Sequence, residues 1–104
     1  MTKPVRLDPE AEEEIDAAAR WYEAQRPGLG LDLIAAVREA VTAIGESPST
    51  FGLAPGVPDA LGVRRCAVRR FPYALVSVDL RDEIRVLAAA HYRRRPGYWR
   101  GRVL

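Results

Sequence analysis

The 104 residues suffice for one domain with a single modest core, and their 48% hydrophobic and 29% charged content is that of an ordinary globular chain. One cysteine, Cys66, and one histidine, His91, exclude an intramolecular disulfide and a cysteine- or histidine-rich metal centre, so neither a metal nor a cofactor is expected. The net charge of +2 hides an asymmetry: residues 1–63 carry 5 basic and 11 acidic side chains, a balance of −6, while residues 64–104 carry 11 arginines against Asp79, Asp82 and Glu83, a balance of +8.

All the basic side chains except Lys3 are arginines, which suit bidentate contact with carboxylate or phosphate. The cationic C-terminal part therefore points to a polyanionic partner: nucleic acid, a ribosome or an acidic protein segment. No run of apolar residues approaches the roughly 20 needed to span a membrane. The opening residues after Lys3 lack an apolar stretch of the secretory kind, so a cytoplasmic location is expected.

Val5-Arg6-Leu7 alternates as a strand does. Asp8-Pro9 then supplies a capping residue followed by proline at the first helical position, and Glu10, Glu12, Glu13 and Glu14 place negative charge at the positive end of the helix dipole. Ala11, Ile15, Ala18 and Tyr22 recur at helical spacing, which predicts a helix from Pro9 to about Ala24. Pro27-Gly28 breaks it, and the stripe Leu29, Leu33, Val37, Val41, Ile44 predicts a second, antiparallel helix ending at a left-handed Gly45. From Gly45 to Gly62 the prolines and glycines read as a surface connection.

Three strands follow in the pattern, Val63 to Arg69, Tyr73 to Asp79 and Glu83 to His91, joined by Arg70-Phe71-Pro72 and Leu80-Arg81-Asp82 as two consecutive hairpins. Strict alternation puts Ile84, Val86, Ala88 and Ala90 on one face of the last strand and Arg85, Leu87, Ala89 and His91 on the other. Both faces are apolar, so that strand is expected to be central. The predicted order β-α-α-β-β-β is an α+β domain of residues 1–104, in which an N-terminal strand and an antiparallel helical hairpin pack on a C-terminal antiparallel sheet.

Seven segments in this order resemble the RelE/ParE superfamily of toxins, in its plasmid-stabilisation, ParE-like branch: Leu7-Asp8-Pro9-Glu10-Ala11, Trp21-Tyr22-Glu23, Pro27-Gly28-Leu29-Gly30, Ser47-Pro48, Val63-Arg64-Arg65, Phe71-Pro72-Tyr73, and the run from His91 to Trp99. The resemblance implies the toxic half of a bacterial type II toxin–antitoxin pair, held in a hetero-oligomer by a cognate antitoxin. Its targets divide between DNA gyrase, poisoned by binding, and ribosome-bound mRNA, cut by an endonuclease. Cutting RNA through its 2′-hydroxyl requires a base, an acid and cations around the phosphate, for which Arg65, Arg70, His91 and Tyr92 are the candidates here. The lysines of RelE-like sites are absent, since Lys3 is the sole lysine, and arginine is a poor base. The ParE-like, non-hydrolytic reading is therefore preferred, with a non-toxic nucleic-acid-binding module as the rival from another class.

The tail supplies the expected target-binding residues, Arg93, Arg94, Arg95, Tyr98, Trp99 and Arg100, because clustered arginines beside aromatics can grip a polyanion or an acidic groove. The plainer reading is a tail docked on the sheet by those aromatics. Trp21, Tyr22, Leu33 and Val37 on the hairpin are the expected antitoxin contacts. His91 reads equally well as a packed histidine, and adjacent Trp21 and Tyr22 cannot both point inward.

Overall fold

The computed structural model describes residues 3–103. Strand β1 (Val5–Leu7) leads into α1 (Pro9–Gln25) and α2 (Leu29–Glu46), followed by β2 (Val63–Ala67), β3 (Tyr73–Asp79) and β4 (Ile84–His91), with 3-10 turns at Pro48–Thr50, Asp59–Leu61 and Arg100–Arg102. The sheet order is β1-β4-β3-β2: β2, β3 and β4 run antiparallel, and β1 joins β4 in parallel, so the four-stranded sheet is mixed. β4 is an inner strand, as its two apolar faces require.

Two layers of side chains close on the sheet. On one face Ala11, Ile15, Leu33, Val37 and Ile44 of the hairpin pack against Cys66, Leu75, Ile84, Val86 and Ala89. On the other, the chain covers itself: Ala54 and Trp99 are buried on Val63, Val76, Val78, Leu87, Ala88 and Ala90, with Val57, Leu61, Tyr98 and Val103 around them. The connection from Gly45 to Gly62 is thus partly a lid over the sheet.

Strict alternation along β4 does not hold. The register passes from Ser77↔Val86 to Val76↔Ala88, leaving Leu87 as an extra residue. Such a bulge shifts the later side chains by one position, so Ala88 and Ala90 share the tail-side core with Leu87, whereas Ala89 turns to the helices.

The helix ends differ from the expected ones in two ways. Asp8 occupies the cap position of α1 but its carboxylate makes no capping bond; it is 4% exposed and accepts from the Arg85 guanidinium instead. Gly45 does not end α2, which continues to Glu46. A Cβ at Gly45 would lie 3.2 Å from Val5 Cγ2, so the glycine allows the helix to cross close over β1. At the other end of α2, the Glu23 carboxylate accepts from the backbone N–H of Gly28 and of Gly30, capping the neighbouring helix from α1.

Candidate cationic site at the end of the sheet

β4 ends at His91, and the chain turns over the adjoining end of the sheet before Trp99 returns it to the core. Tyr92 N–H donates to the Pro72 carbonyl (2.9 Å) and Arg94 N–H to that of His91 (2.9 Å), which fixes the turn. Gly97, at φ 77°, lies against Gly56, at φ 96°; a Cβ on Gly56 would sit 2.9 Å from Gly97 Cα, so the two backbones touch where no side chain fits.

The fold brings seven of the expected residues around one hollow of about 140 Å³: Arg65, His91, Tyr92, Arg94, Arg95, Tyr98 and Trp99, completed by Pro55, Ala90, Pro96 and Gly97. Arg65 projects from β2 on the tail side, its guanidinium 5.6 Å from the Tyr92 ring centre. Arg94 lies 3.8 Å over the ring of Tyr98. Arg93 and Arg100 are exposed beside the hollow without lining it. Among the described residues, none of Arg65, Arg93, Arg94, Arg95 and Arg100 forms an ion pair, whereas Arg6, Arg20, Arg69, Arg70, Arg85 and Arg102 each have an acidic partner. Arg64 and Arg81 likewise have no acidic partner among the described residues, so five of the seven arginines of the C-terminal half without one stand here.

Arg70 is not part of it. It stands in the β2–β3 turn at φ 74°, on the helix side, 3.9 Å from Asp32. His91 is half-buried, with its ring edge-on to Tyr73 at 4.9 Å. Its Nδ1 accepts from Arg93 N–H at 3.0 Å, which places the proton of the neutral ring on Nε2. The nitrogen facing away is then a donor, and neither nitrogen of the neutral ring is free to act as a base.

Trp99 is 3% exposed, so its indole belongs to the second core and not to an outer gripping surface. Tyr98 is half-buried and donates its hydroxyl to Glu14 at 2.7 Å. Burial, then the hydrogen bond to Glu14, push that phenol well above its ordinary value. Of the residues expected on the hairpin surface, Leu33 and Val37 are core, at 1% and 7% exposure, and Tyr22 packs edge-on to Phe71 at 5.0 Å. Trp21 is 60% exposed. With Ala17, Ala18, Tyr73 and Ala89 it lines a groove of about 370 Å³ between α1 and the ends of β3 and β4, whose remaining walls are Glu14, His91 and Arg94.

In the sequence Glu14 reads as a helix-dipole charge and Arg102 as one more cation of the basic tail. The pair joins α1 to the tail, Arg102 Nη1 lying 2.9 Å from Glu14 Oε1. The one available signal was position: Glu14 is the carboxylate of the acidic run next to the apolar Ile15 and Ala18 stripe.

No family model and no curated protein matches the chain. Among solved structures it is similar to a chain of one described as the chromosomal ParDE TA system from P. aeruginosa, with a TM-score of 0.73 and 21% identity over 86% of this chain and 96% of that one. The N-terminal strand, the helical hairpin and the three following strands of this chain therefore form the same α+β fold as that chain.

Proposed function

We propose that the chain is the toxin of a type II toxin–antitoxin pair, kept harmless by a cognate antitoxin and acting on DNA gyrase by binding. The observation that carries this reading is the cluster of unpaired arginines around a preformed hollow, on a fold similar to that of a chain from a ParDE toxin–antitoxin system. A binding surface needs charge, shape and rigid support, and the site has all three: Arg65, Arg94 and Arg95, a concave wall, and a tail anchored by Trp99. Base catalysis is poorly served, since His91 Nδ1 is occupied and arginine does not give up its proton.

The test is expression of the chain alone and beside the product of the adjacent gene. Growth arrest relieved by that product, with loss of gyrase supercoiling by the purified chain, is the expected result. Arrest with intact supercoiling and with mRNA cut in a translating extract selects the ribosome-dependent endonuclease. That second reading has one observation in its favour: Arg65, His91 and Tyr92 share the same hollow.

A further inference from the structure

The outward face of α2 carries a stripe that the core does not use. Leu33, Ala36, Val37, Ala40 and Ile44 turn the inward face of the helix into the core. Leu31 is 74% exposed, the most exposed large apolar side chain among the described residues. With Ala35, Arg38, Thr42 and Glu46 it recurs at spacings of three and four along one side of the helix, and a broad hollow of about 670 Å³ follows that side.

The eight residues that line this hollow fall into four pairs about one midpoint, between Arg38 and Glu39: Leu31 with Glu46, Ile34 with Ala43, Ala35 with Thr42, and Arg38 with Glu39. A twofold axis through that midpoint, perpendicular to the helix, maps the lining onto itself. We propose that this face is the interface of a homodimer, in which α2 of two copies of the chain packs antiparallel about that axis.

Charge complementarity selects a second copy as the occupant. Arg38 and Glu46 have no ion-pair partner among the described residues, and Glu39 has only Arg69, 3.4 Å away with both side chains exposed. In the antiparallel pair each Arg38 meets Glu39 of the second copy, so two opposite-charge contacts lie at the centre; a parallel pair sets Arg38 against Arg38. Size is complementary as well. Ala35, Thr42 and Ala43 are small enough for close approach of the helices, Ile34 covers Ala43 of the second copy, and Leu31 covers the methylenes of its Glu46. A foreign apolar helix would account for the exposed Leu31 but not for a lining that is its own complement. None of the eight residues lines the cationic hollow or the groove beside Trp21, so the dimer leaves both uncovered.

A single helix pair buries an area at the low end of specific interfaces, so the dimer is expected to be weak, half-associated on the order of 10 µM. Sedimentation equilibrium of the purified full chain, from about 1 to 300 µM, brackets that value. Leu31→Ala should weaken association about tenfold, as loss of an apolar anchor on both sides does. Arg38→Glu and Glu39→Arg should each weaken it more than tenfold, because each sets like charges opposite one another twice. Loss of the exposed contact between Glu39 and Arg69 matters little to folding, and circular dichroism checks this. An equimolar mixture of the Arg38→Glu and Glu39→Arg chains should associate again, since the acidic pair of one variant then faces the basic pair of the other. A chain that stays monomeric throughout the range, a dimer indifferent to Arg38→Glu, or two dissociated variants that fail to associate when mixed overturns the proposal. Association is read on the isolated chain and growth arrest in cells, so either reading can fail while the other stands.

Discussion

Glu14 on α1 and Arg102 in the tail stand where a longer β1 would have run. β1 follows β4 only as far as Leu7↔Val86, and beyond that point the open edge of β4 is met by side chains: Ala89 N–H donates to Glu14 Oε1 at 3.1 Å and the Leu87 carbonyl accepts from Arg102 Nη1 at 2.9 Å. The two substitutes for a strand are themselves ion-paired, at side-chain exposures of 18% and 20%. An exposed edge invites pairing with other chains, and covering it protects the monomer.

Loss of this pair should be felt as stability. Glu14→Ala leaves a backbone N–H, a phenol and a guanidinium without their acceptor, and should cost about 2–3 kcal/mol in urea unfolding. Glu14→Gln keeps an acceptor oxygen for the amide and the phenol, so its cost should be clearly smaller. Equal losses in the two variants would show that the charge alone matters.

Trp99 is placed to hold the second core together. Trp99→Ala should destabilise by about 3–5 kcal/mol, as removal of a buried large aromatic does. Truncation after His91 removes Trp99, Tyr98 and Val103 together and uncovers Val76, Val78 and Leu87, so the truncated chain should lose cooperative melting. A truncated chain that melts as the intact one does would assign the tail to the surface after all.

The phenols of Tyr98 and Tyr73 give the fold an alkaline limit. Both are held above their ordinary value, first by burial. A raised acid resists ionising in the folded chain while its unfolded counterpart loses its proton from about pH 10, so unfolding releases protons and stability falls as pH rises beyond that point. Below pH 10 the contribution is intact. Tyr98→Phe should flatten the fall in stability between about pH 10 and 12, measured by chemical unfolding at a series of pH values.

Elements with a strong local period were legible in the sequence, and elements set by long-range pairing were not. Asp8-Pro9 marks the start of α1, and the bounds Tyr73 to Asp79, read from the turn residues on either side, are those of β3. The bulge at Leu87 escaped because period-two counting assumes every residue is paired, and which partner skips a residue is decided across the sheet. Gly45 reads as a cap by composition, yet the approach of Val5, 40 residues earlier, determines its role. The cationic site was legible as charge. Its division into lining arginines, a buried Trp99 and a distant Arg70 was not, because sequence order does not say which face of the sheet an arginine occupies.

The site itself can be divided by comparing side chains that share the hollow but differ in chemistry. His91 accepts from Arg93 N–H and packs edge-on to Tyr73, while Arg94 and Arg95, without an acidic partner among the described residues, carry charge at its rim. If the chain is a toxin that acts by binding, Arg94→Ala with Arg95→Ala should lose most growth arrest, because exposed charges facing an anionic partner govern encounter and are weakened by salt. His91→Ala should lose far less, since it leaves the arginines in place. Dose–response curves for growth arrest, at matched soluble expression and with melting temperatures in hand, give the comparison. A collapse of arrest in His91→Ala with the fold intact, and full potency in the arginine double variant, would move the chemistry to proton transfer at His91 and favour the mRNA-cutting alternative. Raised salt supplies an independent check on the purified chain: inhibition carried by Arg94 and Arg95 should weaken steeply between low and physiological ionic strength, and that dependence should flatten in the double variant.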